Sequence, residues 1–550
     1  MRPSNPRLRW LAVVVLAAAA LPSPLRSQTL SPTDSVRLTD GRIIHGQIVS
    51  FDGTTLVIRT SEGVQSHTRN GLLAIFIAHT GDSSPELPPG ISAGTGLQVA
   101  RWTTFRQITR FERGADFKSI HSARLSPNGA KIIFGANQGV YTINPDGTGL
   151  VRVGEAPDVG LVDISADGRR IAYFSRQEGL MTAMADGTNK ERLPAPDVTL
   201  TGLRITARGD RVFVLAPQHG DQGGILELTT NGDNVRRVIT TTQVARATGI
   251  DDNGNYWRGF PESIDISDDG SRGVARYLHE AIAFTGDGRT IRQLVNLPYE
   301  GTYPGAARIS GDGRKVMFLL NRSSDGRSVH IMDFDGTNRV SYSGQHTEGT
   351  WAQMSPNGNT ALVSGGIRLF NADGQSFQDI SDPGRETALF EGPQMVSMAA
   401  DWKRGVMVID GPISVDQGRP SQLVVFELNP TQLNGTPTIA NVTAAPRFLP
   451  TDGSSSLTLR ANSSATDPRR AGSVFFRENQ RPTVIGLERP YSHGLRPVAG
   501  SPGSYTNQLS LSSGYGGDVG AGPLMLRIFI QDKEGRTTII DVAGIEARRL

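Results

Sequence analysis

The chain has 550 residues, 56 of them basic and 53 acidic, and no cysteine. Its length exceeds what one small domain needs, and the missing cysteine excludes both a disulfide framework and a lipoprotein acylation site. The 64 glycines and 32 prolines, with apolar runs cut every few residues by Asp-Gly, Asn-Gly or Ser-Pro, predict an all-β protein of several domains.

Residues 1–28 read as a signal peptide. Arg2, Arg7 and Arg9 precede the apolar run Leu11 to Leu21, small residues follow, and cleavage is placed after Ala20 or Ser27. The run is shorter than the roughly 20 residues of a membrane-spanning helix. Removing the segment takes away four arginines, Arg26 included, and no acid, which leaves 52 basic against 53 acidic residues. A mature chain so close to neutral gives no reason to expect nucleic acid as a partner, and its expected location is the periplasm or the outside of the cell.

Residues 29–80 read as five short strands, Val36 to Leu38, Ile43 to Phe51, Leu56 to Thr60, Val64 to Thr68 and Leu73 to Ile77. Asp40-Gly41, Asp52-Gly53 and Glu62-Gly63 supply turns between them. Strands so tightly linked predict a small closed barrel, because closure removes exposed edges. The stretch Ile44 to Asp52 resembles the first motif of Sm-like barrels. Leu56 stands where that family places an RNA-cradling asparagine, so the resemblance implies a structural or assembly role. Residues 81–103, with Ser83-Ser84-Pro85-Glu86-Leu87-Pro88-Pro89-Gly90, read as a linker.

Residues 104–430 carry an internal repeat: apolar, polar, apolar, Ser, any residue, Asp or Asn, Gly, then a strand and a second Asp-Gly turn. Copies are Ala123 to Gly129, Val162 to Gly168, Ile264 to Gly270, Ala307 to Gly313 and Ala352 to Gly358, with degenerate ones at Thr206 and Ala399. They start 39, 41, 61, 43, 45 and 44 residues apart, the span of a four-stranded propeller blade. Second turns include Asp146-Gly147-Thr148, Asp186-Gly187-Thr188, Asp335-Gly336-Thr337 and Asp373-Gly374. The pattern resembles the repeats of TolB and of propellers fused to prolyl-oligopeptidase-type enzymes, and so implies a TolB-like β-propeller. Counting copies gives seven blades, with six, the usual TolB number, as the alternative. The long interval holds an insertion at about Thr241 to Pro261, and Gln107-Ile108-Thr109 is expected to complete the last blade.

Residues 431–550 show alternating strands at sandwich spacing, ending in Leu524 to Gly535. That ending resembles bacterial immunoglobulin-like modules, in which an Asp-x-x-Gly turn joins the last two strands.

Motifs that could carry chemistry are few. Gly90-Ile91-Ser92-Ala93-Gly94 matches the nucleophile elbow of serine hydrolases but lacks the strand and helix that would strain Ser92 into place. His279-Glu280 begins like a zinc-protease helix, yet Ala283 occupies the second ligand position. Asp251-Asp252-Asn253-Gly254-Asn255 with Glu262 echoes a calcium loop, but Tyr256 takes the place of the required glycine; Asn253-Gly254 reads as a hairpin turn, with a weakly held calcium ion as the alternative. The most informative polar set lies two residues before each repeat's serine position: Arg124, Asp163, Arg204, Asp265, Arg308, Gln353 and Ser397. Equivalent positions predict a ring near the propeller axis, in which neighbouring Arg and Asp pair across blades or line a polar ligand site. The reading is an exported, non-enzymatic binding or scaffold protein of the cell envelope, with an envelope or secreted protein as partner and no cofactor or metal. A channel-site ligand sensor or a hydrolase-type enzyme is the alternative.

Overall fold

The structure is a computed structural model. It describes residues 34–38, 43–51, 55–60, 63–68, 72–76, 87–111, 120–136, 139–155, 159–218, 220–249, 261–277, 280–296, 302–322, 326–343, 351–363, 367–372, 377–379, 395–410, 421–451, 454–476, 494–511 and 521–549. Residues 1–28, read as a signal peptide, Asp251 to Asn255 and His279 lie outside this set. The chain divides into two compact units, 1–86 and 87–550.

In the first unit five antiparallel strands, Asp34–Leu38, Ile43–Phe51, Thr55–Thr60, Gly63–Thr68 and Leu72–Phe76, form one sheet in the order 4-3-2-1-5. Each expected strand is present, within a residue or two of its expected ends.

The second unit contains a series of small antiparallel sheets. Six four-stranded antiparallel sheets follow one another, spanning 120–154, 161–192, 202–240, 261–296, 302–343 and 352–379, each pairing its strands in sequence order. Met395–Met398, Arg404–Asp410 and Ser421–Leu428 begin a further sheet. Its fourth strand, Gln98–Gln107, comes from the other end of the chain, with Phe105 opposite Phe426. The first strand of each sheet lies against the first strand of the next, and Met395–Met398 lies against Ile120–Leu125, so the series closes on itself. Apolar clusters fill every gap between neighbours: Ile133 and Val140 pack with Ile164 and Tyr173, and Leu125 and Phe134 of the first sheet pack with Val406 and Leu423 of the last.

The repeat dictates this geometry locally. In the first copy the Ser126 hydroxyl donates to Asn128 Oδ1 at 2.7 Å and accepts the Lys131 amide at 3.0 Å. The same bonds recur at Ser165, Ser310 and Ser355. The repeat's glycine then sits at positive φ, between 67° and 72° from Gly129 to Gly358, a region that L-residues other than glycine enter only at a cost. In the degenerate last copy Trp402 occupies this position, at φ 55°. The insertion before the fourth sheet holds a helix, Thr241–Thr248, started by a capping box of Thr240 and Gln243 and ended by Gly249 at φ 72°. Among the described residues no helix is long and apolar enough to cross a membrane.

The two units divide between residues 86 and 87, inside the segment read as a linker, and residues 91–93 and 98–103 of that segment are strand. Ile91–Ala93 pairs in parallel with Ile439–Ala445, and Gln98–Gln107 is one continuous strand. That strand has both edges occupied: Ser421–Leu428 pairs with one, Thr537–Arg548 with the other, placing Thr537 opposite Phe105. The ring's last sheet is thereby continuous with Gly522–Gln531 and Arg470–Phe476 in a sheet of eight strands. The second sheet of this C-terminal part contains Ser504–Ser510, Ser456–Asn462 and Ile439–Ala445, and a shared core with Val442, Leu459, Leu526 and Ile540 joins the two faces. The last hairpin turns through Asp532 to Gly535, where the Gly535 amide donates to Asp532 O.

At the junction Asp541 is gripped by two arginines. Arg527 donates from Nε at 2.7 Å and from its fork at 2.9 Å, and Arg101 of the shared strand donates to Oδ2. Burial pushes the Asp541 carboxyl up, but Arg527 and then Arg101 hold it below the usual carboxylate range. Asp541→Asn leaves both cations uncompensated and is expected to cost about 3 to 5 kcal/mol in urea unfolding; a loss under about 1 kcal/mol would mean water reaches the arginines. Gly129→Ala meets only ordinary contact, with Ala399 Cβ at 3.5 Å. Its expected cost of about 1 to 2 kcal/mol is therefore the backbone term alone.

Candidate functional site

Along each inner strand the side chains alternate. Ala123 and Leu125 pack into the core between sheets, while Arg124 between them lines a cavity of about 140 Å3 within the ring. All seven residues of the expected set line this one cavity, together with the residue that follows each serine position, from Pro127 round to Ala400. Backbone amides alternate too: the Ser165 amide donates to Arg170 O inside its own sheet, so the amide of Ile164 turns to the other edge.

The ring side chains use those outward backbone groups. Asp163 Oδ2 accepts the Ile205 amide at 3.0 Å, and Asp265 Oδ2 accepts the Ile309 amide at 3.1 Å. Gln353 both accepts from the Met398 amide, at 2.8 Å, and donates to Met398 O, at 3.1 Å. Ser397 Oγ accepts the Leu125 amide at 3.1 Å, across the point where last and first sheets meet. Arg308 donates to Ala352 O at 2.6 Å and Arg204 to Asp265 Oδ1 at 2.6 Å. Each side chain thus holds the next sheet, with Arg124 as the exception. Its guanidinium stands over the Trp351 ring, 4.4 Å from the centroid, with Arg308 over the same ring at 5.4 Å.

The expected alternation of Arg–Asp pairs is therefore corrected. Arg204 and Asp265 form an ion pair, but Asp163 spends its bond on a backbone amide and Arg308 on backbone carbonyls. Burial raises the Asp265 carboxyl, yet Arg204, Arg308 and the Arg204 hydrogen bond bring it below the usual range. Burial and the nearby Arg204 push Arg124 down to about 9, and the same two causes push Arg308 to about 10. At the rim Asp268 is raised by burial first and then by Asp265, Asp269 and Asp312.

A second belt runs along the rim, made of backbone alone. The Asn128 amide donates to Ala166 O, Ala166 to Ala207 O, Ala207 to Asp268 O and Asp268 to Gly311 O, at 2.8 to 3.0 Å. Asp312 donates to Pro356 O, and Ala400 to Pro127 O across the closure.

Other sequence candidates lie elsewhere. Ser92 is in a strand, its hydroxyl accepting the Asn441 amide at 2.9 Å. Glu262 is ion-paired with Arg276, and Glu280 is buried. Among the described residues no group of three or more His, Asp or Glu could hold a metal ion. Sequence reasoning missed Trp351. Its equivalents two residues before the ring positions are Ser122, Leu161, Gly202, Ser263, Ala306 and Met395, so aligning that column would have shown one aromatic among smaller side chains.

No family model matches the chain and no curated protein matches it. Solved structures similar to it include an oligogalacturonate lyase from Vibrio parahaemolyticus, 11% identical over 60% of this chain and 97% of that one, with a TM-score of 0.43. The WD40 repeats of RRP9 are 10% identical over 59% and 97%, also at 0.43. A putative TolB from Agrobacterium tumefaciens is 16% identical over 48% and 96%, at 0.32.

Two carboxylates of the ring now separate by what they hold. Asp265→Ala strips Arg204 of its counter-charge and should cost about 3 to 5 kcal/mol. Asp163→Ala frees one amide and should cost about 1.5 to 3 kcal/mol. Equal losses in chemical denaturation would restore the alternating charge ring. The pH dependence has a defined sign. Because Asp265 is depressed, its contribution is present above the ordinary carboxylate value of about 4 and lost as pH falls through the folded value. Raised Asp268 acts oppositely, its protonated form favouring the fold at low pH and losing that advantage as pH rises through its folded value. Asp268→Asn should therefore flatten the alkaline side of that profile and leave the acid side to Asp265.

Proposed function

We propose that the chain is an exported binding or scaffold protein of the cell envelope, built on a closed, seven-bladed, TolB-like propeller. The seven four-stranded groups are its blades, counting the one completed by Gln98–Gln107. The five strands of the first unit close as a small Sm-like barrel, and the C-terminal sandwich is an immunoglobulin-like module. The location is periplasmic or secreted, and the partner is an envelope or secreted protein.

The observation that carries this reading is the engagement of the channel side chains. From Asp163 round to Ser397 each is bonded to the neighbouring blade. Reactive groups are thus tied up in structure, and the propeller faces and loops are left to recognise a partner.

Two measurements test it. Tagged full-length protein should appear processed after Ala20 or Ser27 in the periplasmic or secreted fraction, and capture from envelope extracts should return a protein in stoichiometric amount. Retention in the cytoplasm would end the export reading. A fluorophosphonate probe should leave the purified protein unlabelled; labelling lost on Ser92→Ala would favour the hydrolase.

A further inference from the structure

At four of the seven steps of the ring a side chain, that of Asp163, Asp265, Gln353 or Ser397, accepts the outward amide of the next inner strand. Where the ring residue is an arginine it brings another donor, and the amides of Ile164, Ile266 and Met354 gain no side-chain acceptor among the described residues. Two of the three arginines are satisfied nonetheless, Arg204 by Asp265 and Arg308 by the carbonyls of Ala352 and Ala307. Arg124 makes no hydrogen bond or ion pair among the described residues and rests against the Trp351 ring.

The step from Arg124 to Ile164 therefore presents donors on both sides and an acceptor on neither. Both residues line the cavity of about 140 Å3. We propose that this step is a binding site for a small carboxylate, its two oxygens on the Arg124 fork and a remaining lone pair on the Ile164 amide. A carboxylate supplies what a guanidinium lacks, two acceptors in one plane at matching spacing. Trp351 backs the guanidinium, and Arg124 lines the cavity. The charges of the wall agree: Arg124, Arg204 and Arg308 face Asp163 and Asp265, and Asp265 is already claimed by Arg204. Asp268 adds a carboxyl at the rim, raised above its ordinary value by burial and then by Asp265, Asp269 and Asp312. The low value of Arg124, about 9, marks a cation that an incoming anion would stabilise. So small a cavity admits one carboxylate and the atoms next to it. The group belongs either to a free short-chain acid or to the C-terminus of a peptide entering from the rim.

The test uses the mature full-length protein, with acetate, acetamide and chloride titrated at constant ionic strength and tryptophan fluorescence and melting temperature recorded. Acetate should saturate both signals while acetamide and chloride do not. Arg124→Gln should weaken the acetate response at least tenfold, and Trp351→Phe should remove the fluorescence change but keep the melting shift. A tripeptide with a free C-terminus that outcompetes acetate, while its amide does not bind, assigns the peptide source; exclusion of both peptides assigns the free acid. An acetate response no different from that to chloride overturns the proposal, as does an unchanged response in a folded Arg124→Gln. If Arg124→Gln does not fold, Arg124→Lys keeps the charge and loses the fork: a weakened response supports the site, and an undiminished one overturns it. This outcome is independent of whether an envelope partner is captured.

Discussion

The fold depends on one strand having two neighbours. A ring of sheets made in sequence order ends with its last sheet one strand short, and nothing made later in the ring can supply it. Gln98–Gln107 does so from the N-terminal side, and its buried residues Phe105 and Thr104 complete that sheet. Closure brings last and first sheets together, so that Ile120 and Ile132 are covered by Val408 and Val425. Without it that apolar surface would face water, at a cost of about 25 cal/mol for each Å2 exposed. The same strand pairs on its other edge with Thr537–Arg548 of the C-terminal sheets.

Around the axis the closed ring is held by polar bonds at two heights. The upper belt is backbone to backbone and needs only that each turn present its amide and carbonyl, which the Ser and Asx bonds ensure by fixing the turn. The lower belt is side chain to backbone and depends on residue type. An acceptor side chain satisfies the amide ahead of it, whereas an arginine must look for a carbonyl or a carboxylate. Two arginines find one. The third, Arg124, leaves the lower belt open between the first and second sheets, which the upper belt still joins through Asn128 and Ala166.

Much of this was legible in the sequence because it is local. The repeat's turns are written in Ser, Asn or Asp and Gly at fixed spacing, and the seven ring positions follow from strand alternation. Closure by a strand before the first sheet could also be read, but the expected segment is Gln107-Ile108-Thr109, and the strand that pairs is Gln98–Gln107, meeting that segment only at Gln107. The partners of the ring residues could not be read. Arg and Asp in alternation look like ion pairs in one dimension, but the outward amides of Ile205 and Ile309 compete for the carboxylates and carry no mark in the sequence. The linker was legible only in part, for a related reason. Ser83 to Gly90 has the composition of a linker, yet Ile91 and Val99 beyond it are buried in the core of a sheet pair whose other members lie more than 300 residues on.

Sharing one strand between the ring and the C-terminal sheets also sets a timetable. Trp102 bonds Pro430, 328 positions later, and Arg101 bonds Asp541, 440 positions later. On a ribosome adding about 5 to 20 residues per second, those partners arrive roughly 15 to 90 s after the strand itself. Until Ser421–Leu428 is made, a ten-residue strand with Val99, Trp102 and Phe105 has no native neighbour on either edge, and until Thr537–Arg548 is made it has only one, which leaves an apolar strand edge open for pairing.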